Sequence, residues 1–413
     1  MSAPSPAIDA KRYLADQHAL RQFGKHGTGV VRPAFSEPDI EARRWLAGRF
    51  SEAGLTPVFD PVGNLFGLPP GDGTFLLLGS HSDSQKEGGW LDGAYGVIAS
   101  LEVVRALNEA ASGPVALVSF QDEESHFGPL TGSQVAAGLL DLDQALDLKN
   151  ADGQSLGEAR KAMPEVLEAT PVSLDRFHGF IESHIEQGPV LDTAGEAIGV
   201  VEAIVAFRQC LVTLTGEQNH AGTTPMALRK DAVAGFIAAA QAVGDAVGPL
   251  LGPVTVWTIG RVEVKPNAPS IIPGEVRFTV QMRDPDADRL DRMMEAAQAA
   301  IRSVSEARGL RHGFAPVDQL KPTPMDAGLI GALSEAAEQV SPGRWRRMPS
   351  GAVHDASNMA AHMPVGMLFV PSIRGISHSF EEDTAEADLV TGVEVLCAAT
   401  ARLLQSGWRG RSR

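Results

Sequence analysis

The chain has 413 residues, an apolar fraction of 44% and a formal net charge of −16. That length exceeds one typical domain and points to two, with ample material for a core. The acidic balance argues against binding nucleic acid through its phosphates and accords with a cytoplasmic protein.

The opening residues, MSAPSPAIDAKRYLADQ, lack the basic segment and apolar core of a signal peptide. No apolar stretch reads as long enough to span a membrane. Two cysteines, Cys210 and Cys397, make neither a disulfide framework nor a thiolate metal cluster. Apolar spacing predicts helices over Ile8–Phe23 and Glu37–Ala53, with Ser36-x-x-Asp39 as a candidate cap for the second. Short apolar runs then alternate with amphipathic segments. Phe75–Leu78 reads as a strand, Ala94–Ala106 as a helix and Val115–Phe120 as a strand; Phe177–Ser183 and Val365–Val370 are further strands. The alternation implies an α/β layer fold with a largely parallel sheet. Between them the order changes. Cys210–Thr215 reads as a strand, Met226–Val247 as a helix, Val254–Val262 and Glu275–Met282 as strands, Ala287–Glu306 as a helix and Arg311–Ala315 as a last strand. That is the β-α-β-β-α-β order of ferredoxin-like domains. The expectation is a second domain, 209–322, inserted into a first made of 1–208 and 323–413.

Functional groups of open α/β sheets collect beyond the carboxyl ends of strands. Four clusters fall there: His81, Asp83 and Asp92 in "GSHSDSQKEGGWLDG"; Asp122, Glu123 and Glu124 in "SFQDEESHFG"; Glu182, His184 and Glu186 in "FIESHIEQGP"; and His378 in "GISHSFEED". Singly, each is ordinary: a lone histidine after a strand is usually structural, Glu-Glu a solvated loop and Asp-Gly a turn. Together, in one crevice, such groups repel unless a cation sits among them. Imidazole with carboxylate suits Zn²⁺, Mn²⁺ or a similar divalent ion. Asp92, in a glycine-rich turn, is placed to bridge two ions. Asp83 lies on the same side of the backbone as His81 and can orient it from behind. Glu123 beside Glu124 offers one carboxylate for a metal and one for a proton.

The stretches "GGWLDGAYGV", "QDEESHFG", "ESHIEQGPVL", "TGEQNHAGTTPMALRKDA", "PNAPSIIPGEV", "MRDP", "MPSGAVHDASNM" and "FVPSIRGISHS" resemble the hydantoinase/carbamoylase-type amidases, a branch of the di-metal aminopeptidase-like superfamily. The likeness runs in order from about residue 40 to the C-terminus. It implies an aminopeptidase-like mixed-sheet catalytic domain with a ferredoxin-like lid and dimerisation domain. It implies two divalent ions, zinc foremost, with manganese, cobalt or nickel as alternatives. His81, Asp92 and His184 would hold one ion; Asp92, Glu124 and His378 the other. Glu123 would be the general base and His220 would stabilise the oxyanion. Asn267 and Arg283 would bind a substrate carboxylate, and Gln187 would line the pocket. Without that likeness, Arg283 reads as a surface ion pair with Asp284 or Asp286, and His220 as part of a helix-start loop. Ser84, Asp122, His126 and Trp90 depart from the usual pattern and leave the pocket lining and the substrate open. The expected activity is hydrolysis of an N-carbamoyl-L-amino acid to the amino acid, CO₂ and ammonia by a homodimer. Allantoate, ureidoglycolate, β-ureido acids, N-acyl amino acids and xenobiotic amides are alternatives; a dipeptidase fits less well.

Overall fold

The computed structural model describes residues 6–410, and over 316–320 the backbone alone. It divides into two units: residues up to Glu202 together with those from Pro324, and Ala203–Thr323 between them.

The first unit is built on a nine-stranded mixed sheet. At its centre lie four neighbouring parallel strands, in the order Val365–Val370, Phe177–Ile185, Phe75–His81 and Ala116–Phe120. The flanks are antiparallel. Leu65–Leu68 and Thr56–Phe59 follow Ala116–Phe120 on one side, and Ile198–Ile204 follows Val365–Val370 on the other. The sheet is therefore parallel only at its centre. Every residue of Phe75–His81 is buried, which is why the strand reads as an unbroken apolar run: both its faces are covered. Helices Ala94–Glu109 and Glu386–Ser406 supply part of that cover, and Val97, Leu101, Val104, Leu389, Val393 and Leu396 join Leu76 and Leu78 in one core. Each such side chain contributes roughly 1.5–3 kcal/mol by leaving water.

Helix Glu37–Glu52 corrects one expectation. Ser36 occupies the N-cap position but its side chain caps nothing. Asp39 instead accepts the Phe35 N–H at 2.7 Å and pairs with Arg43 at 3.1 Å, both side chains fully buried. Arg43 in turn donates to the Phe120 carbonyl at 2.7 Å. A buried guanidinium needs a carboxylate more than the helix start does.

In the second unit four antiparallel strands run in the order Val256–Thr258, Glu275–Asp284, Ala206–Thr215 and Arg311–Leu320. Helices Ala232–Val247 and Ala287–Ala307 share a core with the sheet. This is the split β-α-β arrangement. Along Glu275–Asp284 alternate residues are buried, as expected of a sheet covered on one face. The expected helix from Met226 begins at Ala232, after a separate turn Met226–Leu228; Asp231 caps it by accepting the Val233 and Ala234 N–H groups. The expected strand 254–262 is two pieces, Val256–Thr258 and Val262–Lys265, both paired with Glu275–Asp284. Ala232–Leu250 also meets the length and composition of a membrane span, contrary to the sequence reading. Its Ala239, Val243 and Val247 are buried in the unit's own core.

Candidate metal centre

The four central strands are parallel and adjacent, so their carboxyl ends share one sheet edge. His81 ends Phe75–His81, and His184 is the penultimate residue of Phe177–Ile185. Glu123 and Glu124 follow Ala116–Phe120, and His378 lies in the loop after Val365–Val370. Asp92 comes from the turn into helix Ala94–Glu109. One Asp92 oxygen, Oδ1, stands 3.1 Å from His184 Nε2 and 3.6 Å from His81 Nε2. The other, Oδ2, stands 3.3 Å from His378 Nε2, which is itself 3.5 Å from Glu124 Oε2. Two groups that could hold a metal ion result, His81–Asp92–His184 and Asp92–Glu124–His378, with Asp92 common to both. Glu123 Oε2 lies 3.7 Å from His81 Nε2.

The donor set fits divalent ions. His81 Nε2 and Glu124 Oε1 are buried with no hydrogen-bond partner, a costly state unless a cation takes them. His81 Nδ1 lies 3.2 Å from the Asp83 main-chain carbonyl and His184 Nδ1 2.9 Å from that of Ile185. With Nδ1 donating there, each Nε2 would be free to take a cation; without one, the surrounding carboxylates favour the charged imidazoles. Electrostatics tell the same story. Burial alone would raise the Asp92 carboxyl, but His184, His378 and His81 together hold it well below its ordinary range. Burial, then Asp92, pushes Glu124 up to about 8. Burial drives Glu123 well above its ordinary range, with Glu124, Asp355 and Asp92 adding to the rise against His81. The bond to Asp92 lifts His378 to about 9.

Neighbouring groups hold the loops. The Asp83 carboxylate flanks His81 at 3.6 Å and accepts the main-chain N–H groups of Glu123 and Glu124 at 3.4 and 3.2 Å. The imidazole's shorter contact is thus to the Asp83 carbonyl, because the carboxylate is turned toward the next strand's loop. Asp122, at a positive φ of 55°, accepts from Phe127 and Gly128 N–H and from the Thr131 hydroxyl, fixing the bend that carries the two glutamates. Gln187 donates to Asp92 Oδ2 at 2.9 Å. Glu182 accepts from the Ser80 hydroxyl and the Ala356 N–H, and Glu186 accepts the N–H groups of Val190 and Leu191; both hold up backbone beside the site.

Several groups here carry no role in the sequence reading. Gln85 donates to Glu124 Oε2 at 2.7 Å. Glu382 accepts the Asp92 N–H at 3.0 Å. The His354 ring lies 4.5 Å from that of His184, kept neutral by burial and then by the charge of His184. Asp355 is buried, its carboxyl pushed up to about 8 by burial and by Glu182. The stretch "VHDASNM" signals the last two; nothing local signals the others.

His220, Asn267 and Arg283 belong to the second unit. His220 is exposed, in a two-residue strand paired with Ile271–Ile272, and its Nδ1 accepts the Gly222 and Thr223 N–H groups at 2.9 and 3.2 Å. Its remaining ring nitrogen, Nε2, is therefore the donor. Asn267 is exposed, with φ of 54°. Arg283 donates to Gln281 Oε1 at 3.1 Å, with its guanidinium 5.9 Å from the Phe207 ring centroid. Asp284 and Asp286 pair with Arg289.

A family model described as peptidase family M20/M25/M40 matches residues 77–402. The chain is 35% identical to an N-carbamoyl-L-amino acid amidohydrolase of Geobacillus stearothermophilus, over 96% of this chain and 99% of that protein. It is also 35% identical to the allantoate amidohydrolase of Escherichia coli (strain K12), over 94% of this chain and 96% of that protein. The crystal structure of an amidase of the hydantoinase/carbamoylase family from Burkholderia phymatum superposes with a TM-score of 0.90 at 42% identity, covering 98% of this chain and 99% of that one.

Proposed function

The chain belongs to peptidase family M20/M25/M40, and from that premise we propose that it is a metal-dependent amidohydrolase cleaving a non-peptide C–N bond, with an N-carbamoyl-L-amino acid as substrate. The observation that carries the reading is the meeting of His81, Asp92, Glu124, His184 and His378 with Glu123 at one sheet edge. His81, Asp92 and His184 hold one divalent ion, and Asp92, Glu124 and His378 a second. Zinc is the first choice; manganese, cobalt and nickel suit the same donors. When bound, such ions lower the pKa of a water and polarise a carbonyl.

The chain's own groups do the rest. Glu123 takes the proton of the attacking water and passes it to the nitrogen that leaves as the C–N bond breaks. Asp83 holds the peptide groups of Glu123 and Glu124 in place. Gln187 steadies Asp92 and lines the pocket. His220, with its Nδ1 already occupied as an acceptor, offers Nε2–H to the developing oxyanion. Asn267 and the fork of Arg283 bind the substrate carboxylate. The balance is one ureido acid and one water to amino acid, CO₂ and ammonia.

The second unit serves as lid and dimer interface; its exposed Ile237, Val256 and Val262 support a homodimer, which sedimentation velocity tests. The two unpaired thiols, Cys210 and Cys397, are consistent with the cytoplasm.

The test is ammonia release from a panel of N-carbamoyl L- and D-amino acids, N-carbamoyl-β-alanine, allantoate and N-acyl amino acids, with and without a chelator. Release from an N-carbamoyl-L-amino acid, lost on chelation and restored by metal, is expected. Allantoate is the second reading, because the E. coli relative named for it is equally similar. Silence across all ureido acids with metal bound refutes both.

A further inference from the structure

Glu382 belongs to neither ligand group, yet its carboxylate is 1% exposed. A buried carboxylate needs donors, and this one has three. Its Oε1 accepts the main-chain N–H groups of Leu91 at 3.2 Å and Asp92 at 3.0 Å. Its Oε2 accepts the Ser377 hydroxyl at 2.8 Å. Asp92 and Glu382 are 290 residues apart in sequence. One side chain thus joins the turn that carries Asp92 to the loop that carries His378. A second strut runs alongside, from Trp90 Nε1 to Asp383 Oδ1 at 3.2 Å. The two segments touch so closely that a Cβ on Gly89 would lie 1.8 Å from Glu382 Oε1. Only glycine admits that approach.

The ligands of the two groups are held differently. His81 and His184 sit on central strands, with Nδ1 fixed by main-chain carbonyls. His378 sits in a loop, is 53% exposed and has a φ of 51°. Such a conformation persists only where its surroundings impose it. We propose that Glu382 is a positioning residue that sets the spacing of Asp92 and His378, and so governs occupancy of the Asp92–Glu124–His378 centre while leaving the His81–Asp92–His184 centre nearly unaffected. The inference rests on the two-ion reading above.

Metal-free full-length protein is titrated with Co²⁺, followed by its visible absorption and by equilibrium dialysis. The unmodified protein should take up two equivalents. Glu382→Ala should bind the first within about threefold of normal and the second at least about tenfold more weakly. Glu382→Gln should recover most of the second, because its amide oxygen still accepts both N–H groups and its NH₂ still reaches Ser377. Normal binding of both equivalents by Glu382→Ala, equal loss of both, or no recovery with Gln overturns the proposal and leaves the two-ion reading standing. A single equivalent in the unmodified protein sinks the two-ion reading, and this inference with it. Where circular dichroism shows Glu382→Ala unfolded, Ser377→Ala makes the same comparison: a weakened second equivalent supports the proposal, an unchanged one overturns it.

Discussion

Gly93→Ala should damage the centre although Gly93 is not itself one of the proposed ligands. Gly93 has φ 62° and ψ −45°, outside the small left-handed well open to other residues. A Cβ there would lie 2.3 Å from His81 Nε2 and Cδ2, whereas ordinary contact begins at 3.4 Å. The His81 ring is 1% exposed and has no slack. To accommodate the methyl it must retreat by roughly 1 Å. A displacement of about 1 Å at a reacting centre costs on the order of 10²-fold in rate. The backbone strain adds about 1–3 kcal/mol, which lowers the melting temperature by roughly 2–12 °C for a domain of a few hundred residues. Gly71→Ala separates the two effects. Gly71 also has a positive φ, 93°, but a Cβ there meets nothing within 4 Å. Calorimetry, metal content after dialysis and turnover on the best ureido acid are measured for both variants. Gly71→Ala should lose stability alone; Gly93→Ala should also lose metal and turnover. A Gly93→Ala protein that keeps metal content and turnover within roughly threefold of normal would show that the ring is not held as described.

Glu123→Gln should bind metal normally and lose about 10²–10⁴-fold in kcat; near-normal turnover would remove Glu123 from the proton transfer. The metal-free protein should lose stability as pH rises from about 7 to about 9. Glu124 and Asp355 titrate at about 8 and His378 at about 9, all above their unfolded values, so the folded chain holds more protons across that interval. Stabilisation by added metal should grow over the same interval, because ligation displaces those protons. A metal-free melting temperature that is flat or rising there contradicts the cluster's electrostatics. Arg283→Lys should raise KM for a ureido acid by roughly 10–100-fold with a smaller change in kcat, the effect of losing a charged hydrogen-bond fork. An unchanged KM would take Arg283 away from the carboxylate.

What the sequence discloses depends on how local the cause is. Phe75–His81 and Val365–Val370 are legible because a strand buried on both faces must be apolar throughout. The residues of the two ligand groups stand out because imidazoles and carboxylates recur just past such runs. Glu382 is illegible: "FEED" has the look of a solvated acidic loop, and two of its three donors, the Leu91 and Asp92 N–H groups, lie some 290 residues away. Asp39 misleads for a related reason, since its partner is a buried arginine one turn on rather than Ser36. The start of helix Ala232–Val247 was recoverable, because Asp231 is an ordinary N-cap residue that the apolar pattern from Met226 obscured. The split of 254–262 is not carried by periodicity, since both pieces pair with one long strand.

The place of Val365–Val370 in the sheet bears on how the protein is made. It pairs with Phe177–Ile185 on one side and Ile198–Ile204 on the other, although both precede it by well over a hundred residues. At ordinary translation rates of about 5–20 residues per second, those two strands wait roughly 10–40 s for the one that separates them. During that interval each presents an open edge, able to pair with the other in the wrong register or with a neighbouring chain. His378, the last of the proposed ligands to emerge, lies in the loop after the strand that closes this gap. If the proposed Asp92–Glu124–His378 group takes a metal, it can do so only once every strand of this sheet has been synthesised, so capture there would come at the end of assembly, not its beginning.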